Sequence, residues 1–217
     1  MKTFLSIGTG PGIGYETAAR FAKEGYRVLL TARNADKLNI LAERLKASGA
    51  EVKAITVDAG SPASVAALIN EVERSYGPVD VLHYNAAAIR QATVEGQSLD
   101  SFNTDLAVNI GGALAAIHVL KPVMEARGSG SILLTGGGFA LYPHSDYLSL
   151  SIGKAGIRTL ALGLFETAKE KNVHIATVTV CKFVSPETED TQKIAECFWQ
   201  LHDQPQVGWT AETTYPG

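Results

Sequence analysis

A length of 217 residues, 46% hydrophobic and 19% charged, fits one globular domain over residues 1–217 with a substantial core. A net charge of −3 leaves no electrostatic footprint for nucleic acid or an acidic membrane surface. No apolar run reaches the roughly 18–20 residues that span a bilayer, and the opening residues lack the basic-then-apolar order of an export signal. The apolar run 4–7 reads as a strand, Gly8-Thr9-Gly10-Pro11-Gly12-Ile13-Gly14 as a turn and 15–24 as an amphipathic helix. A buried-strand run at 27–31 leads to Asn34, which can cap a helix over 35–48, and the next strand is 52–57. Ser61-Pro62 supplies an N-cap and a proline at the first helical position for a helix over 63–76. Further strands are expected at 79–83, 131–135, 173–180 and 209–215. Helices are expected over 98–126 (capped by Ser98), 147–171 and 194–202. This alternation predicts an α/β fold, a doubly wound parallel β-sheet with helices on both faces.

In such a sheet, ligands sit beyond the carboxyl ends of the strands where the strand order reverses, so the residues just after each strand carry function. After the first strand, the glycines permit a sharp turn and a close approach to a pyrophosphate. The following helix offers unpaired N–H groups and the positive end of its dipole. Pro11 removes one possible donor. After the second strand stand Ala32 and Arg33. A carboxylate here would accept both ribose hydroxyls of NAD; Ala32 does not, and Arg33 is a forked cation suited to a 2′-phosphate. The expectation is NADP(H) in preference to NAD(H), against the alternative of a solvated surface arginine. Asp58-Ala59 follows the third strand and Tyr84-Asn85-Ala86-Ala87 the fourth, where Asn85 alone reads equally well as a turn former.

The spacing Gly8, Gly12, Gly14 departs from the common dinucleotide fingerprint, whose sixth position here is Ile13. Together with Asn85-Ala86, with Asn109 in Ala107-Val108-Asn109 and with Lys154, it resembles the short-chain dehydrogenase/reductase family, a cofactor-binding branch of the Rossmann architecture. The resemblance spans most of the chain. It implies a pyrophosphate site at Gly8, Gly10, Gly12, Ile13 and Gly14, and an adenine contact at Asp58 and Ala59. Asn85 and Ala86 are implied to close over the ribose, and Phe183-Val184 to continue the match after the sixth strand, with Val184 a cofactor contact. Lys154 is implied to hold the nicotinamide ribose, and Asn109 to complete a water relay.

The resemblance also exposes departures. The family's tyrosine precedes the lysine by four residues and its serine precedes the tyrosine by thirteen; those positions here are Leu150 and Gly137. Tyr147, about 5–6 Å away on the helix surface, and also Tyr142 or His144, are candidate substitutes as proton donor. The alternative for Tyr147 is packing at the helix start. The family's Pro-Gly after the sixth strand is Cys181-Lys182, and Ser185-Pro186 leads almost directly into the last helix without a substrate lid. Two readings follow. One is an NADP(H)-dependent oxidoreductase with a non-standard proton donor, acting on a small molecule that the sequence does not specify. The other is an inactive NADP(H)-binding protein with a structural or sensing role; a domain that binds no nucleotide is a third.

The remaining chemistry-bearing residues are read as structural. Cys181 is expected in a buried strand and Cys197 in a helix, without metal or redox spacing, as in a reduced cytoplasmic protein. His118, His174 and His202 have no metal-ligand partners at helical spacing, and His83 is expected to be packed. Phe198, Trp199 and Trp209 are expected to cover the sheet edge or a subunit contact. The alanine-rich helices after Ser98 and Tyr147 lie where the resembled family assembles, which implies a homodimer or homotetramer.

Overall fold

The computed structural model describes residues 1–216. Runs of β-branched residues and leucine become seven strands: β1 Thr3–Ile7, β2 Arg27–Ala32, β3 Val52–Thr56, β4 Val79–Tyr84, β5 Gly130–Thr135, β6 Val173–Val180 and β7 Glu212–Tyr215. They form one parallel sheet in the order β3-β2-β1-β4-β5-β6-β7. Side chains alternate across the pleat, so Phe4 enters one core while its neighbours Leu5 and Ile7 enter the other. The Phe4 core is closed by α1 Ile13–Lys23, α2 Ala35–Lys46 and α7 Glu189–Asp203. The Leu5 core is closed by α3 Pro62–Tyr76, α5 Gly112–Arg127 and α6 Leu148–Lys169. The fold is the expected α/β, Rossmann-like sheet with helices on both faces.

Local capping chemistry places the helix starts. Asn34 accepts from Lys37 N, Ser61 from Ser64 N with Pro62 opening α3, and Ser98 from Ser101 N at the start of α4 Leu99–Leu106. Beyond α4 the expected continuous helix is interrupted by a π turn, Ala107–Gly111, before α5 resumes. The last helix begins at Glu189 rather than at 194, and the last strand is confined to Glu212–Tyr215 after a short 3₁₀ turn, Gln206–Gly208.

Three expectations are corrected. Cys181 lies just past β6, half-buried in the following loop, because the strand ends at Val180. Phe198 is fully buried beneath the sheet, with its ring 4.5 Å from His83, and does not cover an edge. By length and composition the helical stretches Leu99–Arg127 and Leu148–Lys169 are apolar enough to cross a bilayer. Both bury one face against the sheet through side chains such as Leu120 and Ile157.

Candidate functional site

Strand order reverses between β1 and β4, and a crevice of about 900 Å³ opens beyond their carboxyl ends. The turn after β1 forms one end. Gly8 has φ +87°, and a Cβ there would stand 2.3 Å from Ala86 N, so both conformation and space demand glycine. Gly8 N and Thr9 N both donate to Thr31 O, at 3.0 and 2.8 Å, which ties the turn to β2. Ile13 then opens α1, where Tyr15 N donates back to Gly10 O at 3.0 Å and the N–H groups of Ile13 and Gly14 have no intrahelical acceptor.

A chain of buried polar groups braces this turn from below. Asn85 Nδ2 donates to Gly8 O at 2.9 Å, and Asn85 Oδ1 accepts from Thr135 Oγ1 at 3.0 Å. Thr135 Oγ1 lies 2.9 Å from His83 Nε2. Because the single hydroxyl proton of Thr135 goes to Asn85, the hydrogen-bond network assigns the Nε2–H tautomer to His83. Its Nδ1, buried without a partner, is then a bare lone pair rather than an orphaned donor. Burial, aided by the nearby Lys154 charge, pushes the His83 pKa down to about 3.

At the far end Lys154 Nζ donates to Thr135 O at 2.7 Å. Burial of the ammonium drives its pKa down to about 8, and among the described residues no Asp or Glu lines the crevice to counter that. Leu150, one helical turn earlier, lines the crevice and is only 4% exposed. Gly137 lines it too, and a Cβ there would lie 3.2–3.4 Å from the Cγ, Cδ and Cε of Lys154. Arg33 stands at the opposite end, exposed, with no hydrogen bond or ion pair among the described residues.

The structure therefore gathers Gly8, Gly10, Gly12, Ile13, Arg33, Ala59, Asn85, Ala86, Lys154 and Val184 on one lining. Gly14, Asp58, Asn109 and Tyr147 lie off it. Asp58 turns its carboxylate to Gly60 N at 3.0 Å. Asn109, 2% exposed inside the π turn, spends Oδ1 on Ala88 N at 2.6 Å and Nδ2 on Ala88 O at 3.1 Å. It fixes the segment that follows β4. The Tyr147 ring stacks on Phe139, with centroids 5.3 Å apart.

The family model for short chain dehydrogenases matches residues 2–195. The chain belongs to the short-chain dehydrogenase family. It is 35% identical over 167 residues to a glucose 1-dehydrogenase of Gluconobacter oxydans, covering 74% of this chain and 63% of that protein. It is 29% identical over 192 residues to a 2,3-dihydro-2,3-dihydroxybenzoate dehydrogenase of Bacillus subtilis, covering 88% and 70%. The chain thus spans just under two thirds of the first relative and slightly more of the second. A crystal structure of a short-chain dehydrogenase from Rhodopseudomonas palustris superposes with a TM-score of 0.90 at 26% identity, covering 100% of this chain and 98% of that one. A metagenomic short-chain oxidoreductase in complex with NADP has the same fold, with a TM-score of 0.88 at 23% identity over 99% of this chain and 97% of that one.

Within this family member, three features escaped the sequence reading. Thr135 links Asn85, His83 and Lys154, but its partners come from distant segments. Tyr84 donates through its hydroxyl to Val108 O at 2.5 Å, within the π turn. Phe139, Tyr147 and Phe183 form an aromatic wall whose rings arrive from three different loops or helix ends, so no local pattern marks it.

Proposed function

We propose that this short-chain dehydrogenase is an NADP(H)-dependent oxidoreductase that works without the family's usual tyrosine and serine. The observation that carries the reading is Arg33, a forked cation with no protein partner, standing on the same lining as the glycine turn. The crevice fits a dinucleotide phosphate: its volume is ample, its turn approaches closely, and no carboxylate among the described residues lines it. The α1 N-terminus with Gly8, Gly10, Gly12, Ile13 and Gly14 would receive the pyrophosphate, and Arg33 the 2′-phosphate. Ala59 would border the adenine, with Asp58 shaping the turn behind it. Asn85, Ala86, Lys154 and Val184 would border the ribose and nicotinamide, with Asn109 acting through Ala88. The dinucleotide, when bound, supplies a hydride. Lys154 holds a positive charge at the nicotinamide end below about pH 8 and gives it up above.

At the positions where the resemblance expects tyrosine and serine, Leu150 offers no proton and Gly137 no hydroxyl. Tyr147 lies off the lining with its ring stacked on Phe139, whereas Tyr142 and His144 stand on it and, with solvent, are the candidate proton sources. Leu150 and Gly137 equally support the second reading, a catalytically inert NADP(H)-binding protein. Consumption of NADPH against a panel of carbonyls and activated alkenes separates the two. We also read the protein as a cytoplasmic homodimer or homotetramer, forming one domain and binding neither nucleic acid nor membrane. Exposed Leu114, Val123, Ile152 and Leu162 on α5 and α6 support the assembly.

The test is a fluorescence titration with NADPH and NADH. Arg33→Ala is expected to lower NADPH affinity by about one to two decades, the worth of a charge-assisted hydrogen bond, and to leave NADH affinity alone. Equal wild-type affinity for both coenzymes would remove the preference; no binding would remove the oxidoreductase reading.

A further inference from the structure

The outer end of the crevice is walled by rings. Phe139 stacks on Tyr147 with planes 22° apart, and Phe183 stands 5.7 Å from the first and 5.5 Å from the second. Despite these contacts Phe183 remains 63% exposed, and Ile89 on the same lining 66%. Large apolar side chains left open inside a concave site mark where a ligand's own apolar surface goes. Leu150 extends the apolar lining to the lysine end, and the side chain at 137 is absent.

We propose that this end of the crevice binds a planar aromatic oxidant of the quinone class, held against Phe183 and Phe139, as the hydride acceptor. The proposal rests on the dinucleotide reading above. Two independent arguments converge on it. Ring faces and edges at stacking distances favour an aromatic ligand over a saturated one of equal area. The chemistry of the acceptor also matters. An aliphatic ketone that takes up a hydride becomes an alkoxide, which needs a proton donor at hand; Leu150 and Gly137 provide none beside Lys154, which leaves Tyr142 and His144 of the loop before α6. A quinone becomes a hydroquinone monoanion, a phenolate stable in water because phenols ionise near pKa 10. In the balanced step the quinone takes two electrons and one hydrogen from the C4–H bond of the dihydronicotinamide and forms one O–H bond. It takes its second proton from water, and hydroquinone and oxidised dinucleotide leave.

The test compares 1,4-naphthoquinone with 2-decalone, a saturated ketone of the same two-ring size. Binding is read by quenching of intrinsic fluorescence with and without NADP⁺, alongside NADPH titration and turnover. Naphthoquinone is expected to bind at least about tenfold more tightly than decalone. Phe183→Leu, which keeps bulk and removes the ring, is expected to cost about three- to tenfold of that affinity. The same variant should keep the wild-type unfolding midpoint and NADPH affinity, and each NADPH consumed should yield one hydroquinone. Equal binding of the two ligands, or a Phe183→Leu variant that changes neither, overturns the aromatic slot. Quinone that binds beside NADPH without consuming it overturns its role as substrate. A protein that discriminates the two ligands but binds no NADPH overturns the dinucleotide reading on which the hydride step rests, and not the slot.

Discussion

At the β1–β4 end of the crevice the polar groups under the turn are paired in series, from Gly8 through Asn85 and Thr135 to His83. At the α6 end the lining turns apolar at Leu150, bare at Gly137 and aromatic at Phe139 and Phe183. The first end has fixed backbone and satisfied hydrogen bonds, as recognition of an anion requires. The second sets apolar and aromatic side chains beside Lys154, which donates to Thr135 O, with Tyr142 and His144 on the same lining. The β1–β4 end also underlies stability, so its residues are constrained twice, whereas at the α6 end Phe183, 63% exposed, can change with little cost to folding.

Substitutions sharpen or break this contrast. The largest effect is expected from Gly8→Val, which forces a branched side chain into positive φ and against Ala86. A loss on the order of 3–5 kcal/mol in urea unfolding is expected, and a wild-type midpoint would show that the turn can move. At the other end Leu150→Tyr combined with Gly137→Ser should barely alter the unfolding midpoint. It should bring a gain of about 10²–10⁴ in NADPH-dependent reduction of simple ketones. The new serine needs the Lys154 stem to shift by a few tenths of an ångström. No gain would mean that the apolar end is incompatible with carbonyl chemistry for reasons beyond these two positions.

Thr135→Val keeps the shape and removes the hydroxyl, leaving His83 Nε2–H and Asn85 Oδ1 unpaired. A loss of about 2–4 kcal/mol is expected, with a weaker grip on NADPH as Gly8 loses its brace. Acid should act more gradually. The unfolded chain protonates His83 below about pH 6.5, the folded chain only near 3, so the unfolded state binds more protons between those values. Stability should fall as pH drops through that window, by about 1.4 kcal/mol per unit for this one group. His202, bonded to Tyr26 and Ser131 with its pKa lowered by burial to about 4, adds to the decline. A pH series of urea midpoints, repeated on His83→Leu, should show a shallower slope for the variant.

What could be read in the sequence is what is local. Asn34, Ser61 and Ser98 start helices because a capping side chain reaches only three residues ahead. Strand ends are fixed by apolar periodicity to within a residue, and they place Gly8, Arg33, Ala59 and Asn85 on the crevice. The rest depends on contacts across the fold. The early start of α7 accompanies Asp190, which pairs with Lys182 and accepts from the Tyr215 hydroxyl, two partners from other segments. Asp58 sits at the right strand end, yet its carboxylate goes to its own turn. Tyr147 is near the right spot in sequence, but its ring is drawn to Phe139.

The π turn at Ala107–Gly111 holds one residue more than a regular turn, and the Tyr84 hydroxyl takes the Val108 carbonyl there. The wide turn absorbs that added residue, so α5 keeps the rotational phase of an unbroken helix. Deleting one residue while the wide turn is kept would rotate the rest of α5 by about 100°. Leu114, Ile117 and Lys121 would then take the places of Ala113, Ala116 and Leu120 against the sheet. A lysine would be driven into a fully buried site. The loop clamp on Ala88 and the packing face of α5 are thus phase-locked, and neither can drift in evolution without the other.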